Sequence, residues 1–147
     1  MCARVACPTW SPGPSTFALD VMKASPYVPW RGDDYPRSTR DITDISWDHL
    51  GVLKIDVSGD TSETPSISIC FPKCVRAVQA IDEGYRLRDI PLGSALIYVA
   101  KDSPYLRAFR TNAATTMDNF PLLHWFVVSC NLCVDVISEC EPTIVQS

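Results

Sequence analysis

Twelve prolines are spread along the 147-residue chain, against only six glycines. Proline lacks a backbone donor and interrupts helix interiors, so few windows remain for a helix of three turns or more. Apolar residues make up 46% of the chain and charged residues 20%, which is typical of a globular domain that can bury one core. The sequence therefore predicts a single domain over residues 1–147, made of short strands and turns.

The clearest strand pair lies in the middle of the chain. Residues 51–57 and 66–71 each place three apolar side chains on one face with a period of two, and the residues between them are rich in turn formers. The six apolar side chains are Leu53, Ile55, Val57, Ile67, Ile69 and Phe71. Strands with one buried face alternate in this way, so the pattern predicts an antiparallel hairpin.

Further strands are predicted on both sides of this hairpin. A second hairpin is expected where residues 95–99 and 105–109 flank the turn-forming residues 101–104. The segments 4–7, 16–21, 121–128 and 134–137 also favour strands. Residues 75–81 fit either a strand or one to two helical turns, and residues 25–45 are expected to be mostly loop.

Eight or nine short strands separated by turns are the pattern of an all-β fold. We therefore predict an antiparallel sandwich or a jelly-roll-like barrel with little helix. The formal net charge of −4 argues against a dedicated nucleic-acid binder. No apolar run approaches the roughly 20 residues of a membrane helix, and the first residues lack the apolar segment of a secretory signal.

Seven cysteines form an odd number, which cannot all pair within one chain. Cys130 and Cys133 have the spacing of a zinc knuckle or a thiol redox pair, and Cys70 and Cys74 could complete four zinc ligands. Their apolar neighbours favour the alternative, in which most cysteines are buried free thiols of the core.

The two histidines are the candidate bases for nucleophilic catalysis by a cysteine or serine. His124 lies in an apolar segment and is expected to be a hydrogen-bonded, partly buried residue. His49 follows Asp48 in a polar segment and is expected to be solvated. A Gly-x-Ser-x-Gly motif is absent from the sequence, so a cysteine-dependent enzyme is the weaker hypothesis.

Charged residues are concentrated between Trp30 and the first predicted hairpin, which begins at residue 51. Five aspartates, at positions 33, 34, 41, 44 and 48, alternate there with Arg31, Arg37 and Arg40. A calcium loop is one interpretation, but the EF-hand pattern is absent and a solvated loop is favoured. The tripeptide Arg31-Gly32-Asp33 follows Trp30 and is one that many integrin ligands present, so this loop is a candidate receptor contact.

The order of features over residues 3–78 resembles the later strands of a picorna-like viral capsid protein. Residues 4–10 resemble a strand that enters a proline-containing loop, and residues 17–29 resemble the segment before the long penultimate loop. Residues 50–57 and 65–69 resemble the last two jelly-roll strands.

This resemblance implies a jelly-roll subunit that assembles into a shell, in the virion or in the host cytoplasm. Residues 1–81 would then be the jelly-roll-like part and residues 82–147 an extension or protruding part. Copies of the chain or other capsid subunits would be its partners, and the loop Trp30-Arg31-Gly32-Asp33 would face a host receptor. The leading hypothesis is therefore a structural assembly protein, with a zinc-stabilised cytosolic binding module and a cysteine-dependent enzyme as alternatives.

Overall fold

The computed structural model describes residues 25–32, 34–37, 40–59, 64–85, 91, 93–113 and 120–146. These residues form nine strands, one α-helix and a 3-10 helix. The strands are β1 (Val28–Pro29), β2 (Ile42–Trp47), β3 (Leu53–Val57), β4 (Ile67–Phe71), β5 (Val75–Asp82), β6 (Ile97–Ala100), β7 (Leu123–Val128), β8 (Leu132–Ser138) and β9 (Thr143–Gln146). Helix α1 spans Pro104–Asn112, and the 3-10 helix spans Glu83–Tyr85.

The strands form two antiparallel sheets, which confirms the predicted all-β sandwich with little helix. One sheet has the order β1-β6-β7-β8-β5 and the other has the order β2-β3-β4-β9. In the first sheet, β8 lies beside β5, although β6, the helix and β7 come between them along the chain. Each sheet combines strands from the expected jelly-roll-like part, residues 1–81, with strands from the expected extension, residues 82–147. Strand β4 pairs with β9, and β5 pairs with β8.

The first predicted hairpin is confirmed in its pairing and in its buried face. Strands β3 and β4 pair from Leu53 opposite Phe71 to Val57 opposite Ile67. All six alternating apolar side chains are at most 1% exposed and form the centre of the core between the sheets. The residues 75–81, which fitted two interpretations, lie in strand β5.

The second predicted hairpin is wrong. Residues 105–109 lie in α1, and β6 pairs with β7 instead. The side chain of Ser103 accepts a hydrogen bond from the backbone N–H of Leu106, and Pro104 occupies the first turn, where its missing donor costs nothing. A serine cap followed by proline therefore starts a helix at the point where we expected a turn.

The described residues of 25–45 are mostly loop, as expected, although β1 and the first four residues of β2 fall within this range. Strand β2 was missed because its polar side chains conceal the alternation. The strands expected at residues 4–7 and 16–21 lie outside the described residues.

Strands β7 and β8 are buried on both faces, which explains why their apolar residues form continuous runs. Their inner face, which includes Trp125 and Val136, packs in the core between the sheets. On the outer face, Leu106 of α1 packs with Leu122 and Ile137. This second layer, between α1 and the five-stranded sheet, also holds polar side chains in fixed positions.

Candidate functional site

A chain of buried polar side chains lies between α1 and the five-stranded sheet. The Oγ atom of Ser103 lies 2.7 Å from Nδ1 of His124, and Nε2 of His124 lies 2.8 Å from Oδ1 of Asp135. All three side chains are fully buried. Each ring nitrogen of His124 therefore has a hydrogen-bond partner within the protein.

These are the residue types of a hydrolytic triad, but their placement indicates a structural role. The oxygen of Ser103 also caps α1 by accepting from the N–H of Leu106 at 3.1 Å. A nucleophile must reach a substrate, whereas this hydroxyl has no solvent-exposed surface. The network therefore joins α1 to β7 and β8, and His124 is hydrogen-bonded as expected, although fully rather than partly buried.

The sequence interpretation missed Ser103 and Asp135. Two signals could have identified them: Ser103 directly precedes a proline at a helix start, and Asp135 interrupts an apolar run. His49 lies in the β2–β3 turn and is exposed, as expected.

The loop Trp30-Arg31-Gly32-Asp33 begins at the end of β1. The ring of Trp30 makes an edge contact with Trp125 at a centroid distance of 5.5 Å, so it also reaches the core. The guanidinium of Arg31 lies 4.7 Å above the Trp30 ring, and the side chain is exposed. Gly32 packs closely, since an added Cβ would lie 3.1 Å from Cβ of Ala95. Asp33 lies outside the described residues.

The aspartates and arginines beyond this loop do not form one solvated segment. Arg40 is buried, and its Nη1 donates to the carbonyl oxygen of Pro65 at 3.0 Å. Asp44 lies within β2, and Asp48 lies in the turn after β2. The expectation of a wholly solvated loop is therefore wrong at Arg40.

The four cysteines of the predicted zinc site are not brought together. Cys74 forms a disulfide with Cys140. Cys133 on β8 lies opposite Ile81, near the far end of β5. Ile81 is seven residues along the chain from Cys74. That separation corresponds to roughly 23 Å along an extended strand. Among the described residues, no group of three or more histidine, cysteine or acidic side chains could hold a metal ion.

The described cysteines also differ from the expectation of buried free thiols. Cys133 is buried, as expected, but Cys130 is exposed at the β7–β8 turn. Cys70 is half-buried and free on the outer face of the four-stranded sheet, where burial raises the pKa of its thiol.

Charged groups on this outer face interact across strands β3 and β4. Asp56 accepts a hydrogen bond from the hydroxyl of Ser68 and pairs with Nζ of Lys54 at 2.9 Å. The Ser68 hydrogen bond, followed by the Lys54 contact, lowers the pKa of Asp56. The same contact with Asp56 raises the pKa of Lys54. Asp56 therefore hydrogen-bonds with both Ser68 and Lys54, and the three side chains form a polar surface on the outer face of β3 and β4.

Large apolar side chains are exposed at the sheet edges and their turns. Trp47 at the end of β2 is 49% exposed, and Leu50 in the following turn is 62% exposed. Oδ1 of Asp48 accepts from the backbone N–H groups of both Leu50 and Val52 at 2.9 Å, which fixes this turn. We call Trp47 to Leu50 the hairpin tip.

The hairpin tip lies at the rim of the core. Trp47 pairs with Leu53, whose side chain is fully buried between the sheets, so both side chains lie on the inner face of their sheet. Trp47 therefore extends the apolar inner face of the four-stranded sheet beyond the core, to a solvent-exposed position on the edge strand β2. Such a surface suits packing against another protein.

Comparison with known proteins identifies no relative, since no protein-family model, curated protein or solved structure matches the chain. Within the described part of the chain, no helix is long and apolar enough to cross a membrane. The functional interpretation accordingly depends on the geometry of the chain itself.

Proposed function

We propose that this chain is a structural assembly domain, a viral coat or coat-derived β-sandwich that packs against copies of itself or against other coat subunits. The observation that carries the proposal is the hairpin tip, where Trp47 and Leu50 are 49% and 62% exposed. Aromatic side chains held in a fixed position are typical anchors of protein interfaces.

The turn geometry supports this role. Gly51 has a positive φ of 82°, which favours glycine, and its N–H donates to the carbonyl oxygen of Asp48 at 3.0 Å. With the two hydrogen bonds to Oδ1 of Asp48, the tip is ordered before any partner binds. An ordered anchor loses less conformational entropy on binding, so the turn favours association.

Exposed apolar side chains on other edge strands add to the surface that subunits could cover. Val28 on β1 is 60% exposed, and Val145 on β9 is 55% exposed. Edge strands with unpaired backbone groups and apolar side chains favour pairing with another chain. The two alternatives receive less support, since the predicted zinc ligands lie apart and the Ser103–His124–Asp135 network is buried.

Light scattering of the purified protein over a range of concentrations tests the proposal, with electron microscopy of any large species. We expect oligomers or closed shells, and we expect Trp47→Ser with Leu50→Ser to reduce the assembled fraction at least tenfold. Tyr85→Ser, also at an exposed apolar residue but in the 3-10 helix and outside this surface, is the matched control and should leave the assembled fraction unchanged.

A monomer at all concentrations would overturn the proposal. Assembly that is unaffected by the two changes at the hairpin tip would overturn the role of Trp47 and Leu50. Circular dichroism of each variant establishes that the sandwich is folded, so that loss of assembly is not loss of structure.

A further inference from the structure

The disulfide between Cys74 and Cys140 joins two points at which the chain passes from one sheet to the other. Cys74 lies between β4 of the four-stranded sheet and β5 of the five-stranded sheet. Cys140 lies between β8 of the five-stranded sheet and β9 of the four-stranded sheet. Because the bond brings these two crossovers together, it fastens one sheet to the other at this end of the sandwich.

The hairpin tip lies at the same end of the four-stranded sheet. Trp47 lies opposite Leu53 in the β2–β3 pair, and Leu53 lies opposite Phe71 in the β3–β4 pair. Phe71 is the last residue of β4, directly before the crossover that contains Cys74. The strand ends that carry the tip and the disulfide are therefore neighbours in the sheet.

The turn of the hairpin tip packs against the backbone beside the disulfide. A Cβ added to Gly51 would lie 3.7 Å from the carbonyl oxygen of Lys73 and 3.8 Å from its Cα. Lys73 has a positive φ of 50°, and the N–H of Cys74 donates to the carbonyl oxygen of Pro72 at 2.6 Å. A non-glycine residue keeps such a φ only where its surroundings hold it. The backbone on which the tip turn rests therefore depends on how Cys74 is held.

The noncovalent contacts of this crossover with the end of β8 are weak. The carbonyl oxygen of Cys74 accepts from the N–H of Glu139 at 3.3 Å. Arg76 pairs with the carboxylate of Glu139, and these two side chains are 41% and 22% exposed. Ion pairs that are open to solvent restrain a structure little. The sulfur–sulfur bond is therefore the strongest restraint on the crossover.

The bond lies near the surface, since Cys74 and Cys140 are each half-buried. A thiolate of a small dithiol attacks one sulfur, and the second thiol of the reductant then resolves the mixed disulfide. The protein disulfide gains two electrons and two protons and becomes two thiols, while the dithiol is oxidised to a disulfide. Reduction therefore frees the crossover without any other covalent change.

We infer that the Cys74–Cys140 disulfide is a redox switch for the hairpin tip. In the oxidised protein the crossover holds the tip turn in order, and reduction lets that turn open more often. The inference rests on the proposed function and names its regulation. Because an ordered anchor loses less conformational entropy on binding, the oxidised protein is the form that assembles.

Amide hydrogen exchange tests the effect on the turn itself. The backbone N–H groups of residues 50–52 all donate to Asp48. Reduction with dithiothreitol should speed their exchange by about tenfold or more, because exchange requires the turn to open. The variant with both Cys74→Ser and Cys140→Ser should match the reduced protein and should not respond to dithiothreitol.

Ser103→Ala is the matched control for a general loss of stability. This change removes the cap of α1 and leaves the crossover intact, so the amides of residues 50–52 should exchange at the rate of the oxidised, unmodified protein. Circular dichroism of each variant establishes that the sandwich is folded.

Light scattering at a fixed concentration tests the link to assembly. Reduction should lower the assembled fraction by about tenfold, and reoxidation with diamide should restore it. The double serine variant should assemble as little as the reduced protein, with or without reductant. Ser103→Ala should assemble like the unmodified protein.

The outcomes separate this inference from the proposed function. Exchange of residues 50–52 that is unchanged by reduction would overturn the switch. Assembly at the same level in both redox states would overturn the regulation and leave the proposed function intact. A redox response that persists in the double serine variant would assign it to other cysteines and overturn the role of this bond. A monomer in both states whose turn amides exchange faster after reduction would overturn the proposed function but support control of the tip by the disulfide.

Discussion

The side-chain amide of Asn131 binds both backbone groups of Ile42. Its Oδ1 accepts from the N–H of Ile42 and its Nδ2 donates to the carbonyl oxygen, both at 2.9 Å. Asn131 lies in the β7–β8 turn, so this contact connects the two sheets. The backbone carbonyl oxygen of Asn131 accepts a hydrogen bond from the N–H of Glu83 at 3.2 Å, so the end of β5 is held at the same turn. Edge strands β2 and β5 are therefore held on the same side of the sandwich.

Asn131→Ala should lower the free energy of unfolding by about 2 kcal/mol, because it removes two hydrogen bonds from the backbone of Ile42. Urea unfolding would measure the change. The control is Asn112→Ala at the exposed end of α1, which should change stability by less than about 0.5 kcal/mol. Equal effects of the two substitutions would show that the Asn131 contact contributes little.

Ser103→Ala should lower the free energy of unfolding by about 2–3 kcal/mol, because it removes the cap of α1 and leaves Nδ1 of His124 without its Ser103 partner. Thermal unfolding would measure the loss. Ser94→Ala at an exposed position is the matched control, and a similar midpoint for both variants would contradict the structural role of the network.

The sandwich could be predicted in part because side-chain alternation is a local signal. Leu53, Ile55 and Val57 show the buried face of β3 directly in the sequence. Helix α1 was missed because a Ser-Pro pair is common to turns and helix starts, and only the packing of the residues after the proline distinguishes the two. Strand β2 was missed because only Ile42 of its six residues is buried and its polar side chains conceal the alternation.

Asp56 predicts a pH dependence of stability. Its pKa is lowered in the folded state, first by the Ser68 hydrogen bond and then by Lys54. The stabilisation is therefore fully present above the unfolded-state pKa, near pH 4, and is lost as the pH falls through the lower folded-state value.

The comparison with Asp56→Asn isolates this contribution. At pH 7 the unmodified protein should be more stable than the variant by about 1 kcal/mol, and the difference should decrease below about pH 4. Urea unfolding at several pH values would measure it. A difference that stays constant down to about pH 2 would contradict the assignment.

The disulfide between Cys74 and Cys140 should stabilise the protein, because it joins residues 66 positions apart. Loop-closure entropy for this length corresponds to about 4 kcal/mol, and measured values are commonly about 2–4 kcal/mol. Cys140→Ser should lower the free energy of unfolding by that amount, and a reductant should then have little further effect. Cys130→Ser, which removes an exposed free thiol, is the control.

The candidate sites were harder to predict than the fold, because their members lie far apart in the chain. Cys74 and Cys140 are separated by β5 to β8, and their proximity follows from the pairing of β5 with β8, which places Val75 opposite Ser138. Ser103 and Asp135 are linked through His124, which contacts both. The hairpin tip contains a visible Trp47, but the exposure of that side chain depends on its position at the edge of a sheet.

The disulfide also determines how the molecule responds to tension. Strands β5 to β8 and α1 lie inside the covalent ring that Cys74 and Cys140 close, whereas β1 to β4 and β9 lie outside it. A pull on two residues outside the ring, one on each side, is transmitted through the sulfur atoms, so the enclosed segment does not lengthen. Reduction would release that segment and add roughly 200 Å of contour length at about 3.3 Å per residue.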